Sequence, residues 1–168
     1  TAFTFRAYDT GAGASERMRG WSRVFAITST VTPVMLGVIA GAVAAGGVQL
    51  DAQGRVVTDF ISAWWAPFPF AIGGLTLALF AQLGAVYLCV VHRGTELAED
   101  FRARALLSGV AVLAMAWLAW LLAETGAPAV RAQLSSGGGA LVVHGLSATA
   151  GLATFVALWL RRYGMARV

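Results

Sequence analysis

Two histidines, one cysteine and one glutamine in an apolar stretch are the side chains of this sequence with the most obvious chemistry. His144 is the first of them. Its imidazole could hydrogen-bond a quinone, pass a proton or ligate a haem. The simpler alternative, which we favour, is a histidine at a membrane interface bonded to a neighbour or to water. His92 is the only other histidine. A haem held by both rings needs them at one depth. They fall at opposite ends of their expected helices, roughly 25 Å apart at 1.5 Å of rise per residue, so one haem cannot bridge them. A methionine or an outside partner would have to supply a further ligand. The lone Cys89 makes no internal disulfide and no multi-cysteine metal site. Gln82 is expected to hydrogen-bond between helices rather than to touch a ligand. There is no serine elbow, phosphate-binding loop or metal-ligand cluster. No residue is therefore assigned as catalytic or metal-ligating, and cofactor contacts stay unassigned.

The elements that must position these groups follow from composition. Hydrophobic residues make up 58% of the 168 residues and charged ones 12%. Mean hydropathy is +0.73. A soluble domain carries about twice that charged fraction and must keep its outside wet. So a soluble enzyme, a disordered chain and a disulfide scaffold are excluded, and an integral membrane protein is left. The net charge of +4 comes from arginine alone, with no lysine. No basic patch on a soluble face suggests nucleic acid.

A spanning helix needs about 20 mostly apolar residues. Stretches free of charge predict helices at about 22–46, 66–91, 99–123 and 140–161. Leu75-Thr76-Leu77-Ala78-Leu79-Phe80-Ala81 does not alternate, so barrel strands are not expected. The fold class is all-α, a polytopic bundle of four transmembrane helices in a single transmembrane domain over 1–168. Arg6, Arg17, Arg19, Arg23, Arg93, Arg102, Arg104, Arg161, Arg162 and Arg167 fall on one side and only Arg55 and Arg131 on the other. That bias predicts both termini in the cytoplasm. Trp21 and Trp159 fall at the inner ends; Trp64, Trp65, Trp117 and Trp120 fall at or near the outer ones, as interfacial rings prefer. An Arg-rich start followed by Ala42-Val43-Ala44 resembles a signal peptide, but the polar leader is too long. The chain opens on Thr1, and Ala2-Phe3-Thr4-Phe5 is expected to end an element that began earlier.

Finer features follow. Asp51 to Asp59 is a polar outer loop turning at Gly54. Pro67 and Pro69 open the second helix. Glu96, Glu99 and Asp100 suit the positive end of the third helix dipole as a solvated start. Pro33 predicts a kink, with Thr28, Ser29, Thr30 and Thr32 near the freed carbonyl. Gly37 and Gly41, extended by Ala40 and Ala44, make a face for close helix contact. Ser135-Ser136-Gly137-Gly138-Gly139 is expected to be a flexible linker.

Several stretches, in order and spacing, resemble subunit II of the cytochrome bd quinol oxidases. They are Ala2-Phe3-Thr4-Phe5-Arg6-Ala7-Tyr8-Asp9, Trp21-Ser22-Arg23-Val24-Phe25-Ala26-Ile27 and Val31-Thr32-Pro33-Val34-Met35-Leu36-Gly37. Gly41-Ala42-Val43-Ala44-Ala45-Gly46, Ala66-Pro67-Phe68-Pro69-Phe70-Ala71-Ile72-Gly73-Gly74, Gly84-Ala85-Val86-Tyr87-Leu88 and Phe101-Arg102-Ala103-Arg104-Ala105-Leu106 follow. The resemblance is good over about 1–125 and looser over 126–168, as for a middle portion of that subunit. It implies an accessory subunit of a respiratory oxidase in the bacterial cytoplasmic membrane, one that oxidises quinol and reduces dioxygen to water and so contributes to the proton motive force. The partners it implies are the lipid bilayer, quinone and a haem-bearing subunit I. The haems belong to subunit I; some members of the family hold a structural quinone in subunit II. The family's early helices carry acidic residues implicated in proton delivery; those segments are not matched here, so no such role is transferred. The expected contact with the haem subunit is the small-residue helix face. Two other readings stay open, a transporter or permease fragment and an assembly protein without redox role. The lack of embedded charge counts against the transporter.

Overall fold

In the computed structural model of the protein, residues 14–59, 61–136 and 138–161 are described. The expectations for Ala2–Phe5, Arg6, Arg162 and Arg167 lie outside them. Among the described residues the chain is helical: α1 (Ala14–Ala44), α2 (Pro67–Val91), α3 (Glu96–Gly126), α4 (Pro128–Ser136) and α5 (Ala140–Trp159). All but α4 are long and apolar enough to cross a membrane. The chain is a multi-pass membrane protein.

The helix ends have local causes. α1 stops at Ala44 because Gly46 takes a left-handed φ of 69°. Gly47 N–H then reaches Ala42 O and Gly46 N–H reaches Val43 O, both at 3.0 Å, which satisfies carbonyls that a helix end leaves open. The expected end at 46 is thus two residues late. α1 also begins before 22, because a helix need not stop where hydrocarbon does. It runs through Pro33 as one element. The hydroxyls of Thr28, Thr30 and Thr32 donate to the carbonyls of Val24, Phe25, Ala26 and Thr28. None of these bonds goes to Ser29 O, the carbonyl that Pro33 leaves without its amide.

α2 opens with Pro67 in its first turn, as expected. It closes at His92, and Gly94, at φ 82°, reverses the chain. Glu96 and Glu99 lie in the first turn of α3. α3 overruns its expected span at both ends. It stops where Pro128 forces the preceding Ala127 out of helical geometry, φ −153°.

Pro128 also starts α4, a helix the composition did not suggest. Ser135 and Ser136 do not belong to a flexible linker. They close α4, donating to the carbonyls of Arg131 (2.6 Å) and Ala132 (2.9 Å). Hydroxyls bonded back along a helix cost it little, so serine does not break this one.

α2 is central, packed against α1 on one side and α3 on the other, while α5 meets α3 and α4. The α1–α2 contact is backbone to backbone. A Cβ added to Gly37 would lie 2.7 Å from Gly73 Cα, and one added to Gly41 would lie 2.8 Å from Pro69 Cα. The small face of α1 is therefore used inside the chain, against α2. The core falls into two clusters. Phe68, Ala123 and Ala127 join the start of α2 to the end of α3. Val86, Cys89, Ala98, Ala105, Ala157 and Leu158 join the opposite ends of α2 and α3 to the end of α5. Alanine dominates both, since without a hydrophobic drive between helices in lipid, close approach supplies the packing.

Candidate functional site

Polar groups gather at three levels of the bundle. The middle level is a single contact. Ser108 Oγ donates to Gln82 Oε1 at 2.7 Å between α3 and α2. Gln82 thus does what its mid-span position suggested. Its partner Ser108 was not singled out, because a helix serine gives no signal of where it points.

The second level lies where α2 ends and α3 begins. Glu99 accepts from Arg102 Nε at 2.9 Å and pairs with Arg161 Nε at 3.3 Å. Glu96 and Asp100 are exposed, as a solvated start would have them, while Glu99 also meets Arg161 at the far end of α5. His92 shares this level. Its Nδ1 is 3.1 Å from Leu88 O, and its ring lies 5.4 Å from that of Phe101. Cys89 is fully buried nearby, its Sγ 3.8 Å from Ala98 O.

The third level is at the opposite end, where α3, α4 and α5 meet. Arg131 of α4 bonds Glu124 Oε2 at 3.0 Å and the Trp120 carbonyl at 3.3 Å. Its guanidinium sits 5.2 Å from the Trp120 ring centroid, an attractive placement for a cation over an indole. His144 Nε2 is 2.9 Å from Leu134 O, and its ring meets Trp120 edge-on at 6.2 Å. The favoured reading of His144, a histidine bonded to a neighbour, matches this geometry. Beside it, Val130, Gln133, Leu134, Gly138, Gly139, Ala140 and Val143 line an open cleft of about 490 Å³.

The two histidines are not brought together. α5 packs on Cys89 and Ala98 through Leu158, near His92. His144 lies roughly 21 Å up that helix from Leu158 at 1.5 Å per residue. One haem therefore cannot take both histidines of this chain as its ligands. Among the described residues, no group of three or more His, Cys, Asp or Glu side chains could hold a metal ion. Of the basic side chains, Arg102 and Arg161 share Glu99 at one end of the bundle, and Arg131 lies at the other.

No curated protein and no solved structure matches the chain. A family model does, that of cytochrome bd terminal oxidase subunit II, and its match runs over residues 1–168. It takes in α4 and α5, where the resemblance of individual stretches was loose. The match takes in all four helices long and apolar enough to cross a membrane, and the chain belongs to the cytochrome bd terminal oxidase subunit II family.

Proposed function

We infer from its family that the chain works as a subunit of a respiratory quinol oxidase. We propose that it is the accessory, non-haem-bearing subunit of that complex, holding a haem-bearing subunit I in a bacterial cytoplasmic membrane. The holoenzyme would oxidise quinol and reduce dioxygen to water, with protons drawn from the cytoplasm. The ten arginines on one side favour both termini in the cytoplasm.

One observation carries the scaffolding role: the spanning helices leave most of their apolar surface uncovered. Between 11% and 22% of each apolar stretch is buried within the chain. Residues 141–153 of α5 are exposed throughout, although both ends of that helix are tied to the bundle. Lipid can cover such surface, and so can a partner helix. Small residues at Gly145, Thr149 and Ala153 would let a partner backbone come close. Since Gly37 and Gly41 are already occupied by α2, the α5 surface is the better candidate for subunit I.

The chemistry of the complex then falls to the partner. Every polar cluster described above has a structural use here. A structural quinone on this chain would find its best place in the cleft between α4 and α5. Val130, Leu134, Ala140 and Val143 would flank its ring, and the Gln133 amide could donate to a carbonyl oxygen. Spectra test the assignment. The chain purified with its native partners should show haem absorbance, and the chain alone should show none. Stoichiometric haem retained by the isolated chain would overturn it.

A further inference from the structure

The connection between α1 and α2 is built as a small amphipathic hairpin. Leu50 and Val56 face each other across an antiparallel bridge. Flanking bonds run from Asp51 N to Arg55 O (2.9 Å) and from Val57 N to Gln49 O (3.0 Å). Leu50 and Val56 are thus a non-hydrogen-bonded pair, whose side chains stand close together on one face. Alternation puts Val48 on that face too, with Gln49, Asp51, Arg55 and one apolar residue, Val57, on the other. Val48, Leu50 and Val56 are 46%, 62% and 62% exposed, an arrangement that water does not favour.

Part of the hairpin's backbone is bonded within it, while the amides of the non-hydrogen-bonded pair Leu50 and Val56 point outward, to water or headgroup oxygens. Gln53 N and Arg55 N both donate to Asp51 Oδ1, at 2.9 and 2.8 Å. Gly54 N donates to Asp51 O at 2.9 Å, and Gln49 N to Thr58 Oγ1 at 2.7 Å. Full internal satisfaction is required only in the hydrocarbon core; the headgroup layer, where water and lipid oxygens remain, can take the amides left open. The base is fixed at the ends of two spanning helices: a Cβ on Gly47 would lie 2.8 Å from Ala63 O. Next to it Trp65 stands 65% exposed, edge-on to Trp64 and Phe70. Tryptophan at a helix end marks the headgroup level.

We propose that this hairpin lies in the headgroup layer of the bilayer, with Val48, Leu50 and Val56 toward the acyl chains and Asp51 and Arg55 toward water. It is then a lipid-binding element rather than a free loop. Its position beside helices that already span the bilayer brings it to that surface without a separate targeting signal.

Spin labels test this in the intact complex, reconstituted in vesicles of phosphatidylethanolamine and phosphatidylglycerol. One label goes on Val56→Cys and one on Arg55→Cys, with the unmutated complex labelled as background. Collisions with oxygen, which concentrates in lipid, are compared with collisions with a water-soluble nickel chelate. The expected result is a label at 56 that favours oxygen and a label at 55 that favours the chelate. Chelate preference at both positions would put the hairpin in water and overturn the proposal. A label at 56 shielded from both reagents would mean that a partner protein covers this face, and would overturn it equally.

Discussion

Ser108 donates its hydroxyl to Gln82 across the α2–α3 contact at 2.7 Å, and that bond joins two spanning helices in the middle of their length. In water such a bond competes with solvent; in hydrocarbon the competitor is another protein group, so its net value is modest. A double-mutant cycle with Ser108→Ala and Gln82→Leu should give a coupling of about 0.6 kcal/mol in favour of the pair. Unfolding in mixed detergent measures it. A coupling of zero would mean that Ser108 gives its one hydroxyl proton to its own helix instead, where Arg104 O and Ala105 O lie 2.9 and 3.1 Å from Oγ.

The glycine face of α1 makes a sharper prediction. A Cβ on Gly37 would meet the backbone of Ile72 and Gly73 and the hydroxyl of Thr76. Backbone cannot turn aside as a side chain can. Gly37→Ala should therefore destabilise the α1–α2 pair by about 1–3 kcal/mol, the usual range for overpacking. Gly84→Ala meets nothing within 4 Å and should leave stability unchanged or slightly raised. Thermal melts of the two variants in one detergent separate a packing effect from a general effect of removing glycine.

The ion pairs at Glu99 lead to a smaller number. The side chain of Arg161 is 66% exposed and that of Glu99 43%, so solvent screens their attraction. Glu99→Gln should cost less than about 1 kcal/mol. Its difference from the unmutated chain should shrink as salt is added. Melting curves at low and high salt check this; a large loss insensitive to salt would assign Glu99 a role beyond these pairs.

The spans were legible in the sequence because hydrocarbon thickness is a physical ruler: a helix must stay apolar for about 20 residues. That ruler says nothing about helix outside the hydrocarbon, so the start of α1 and both ends of α3 were placed too far in. α4 was missed for a related reason. Its stretch mixes polar and apolar residues and runs into serine and glycine, a composition that also suits a linker. Only Pro128, a good first residue of a helix, marked its start. Gly37 and Gly41 announced close contact but not with whom, because small residues record the distance of a partner and not its identity. Gln82 and His144 were recognisable as polar groups needing a bond. Their acceptors and donors, Ser108 and the Leu134 carbonyl, depend on how neighbouring elements turn, which spacing along one helix does not encode.

His144 provides the most discriminating functional test. Its Nε2 holds the Leu134 carbonyl at the end of α4, and its ring packs edge-on against Trp120, which also carries Arg131. If these contacts are its whole role, His144→Ala removes a link between α4 and α5 and leaves the redox chemistry alone. Oxygen uptake by the complex should then be unchanged, while the turn at Gly138 and Gly139 should be cut faster by a protease added from that side. A neutral hydrogen bond of this kind contributes about 0.5–1.5 kcal/mol, enough to speed local opening several-fold without unfolding the bundle. Loss of uptake with protease resistance unchanged would reverse the assignment and place His144 in the path of protons or quinone.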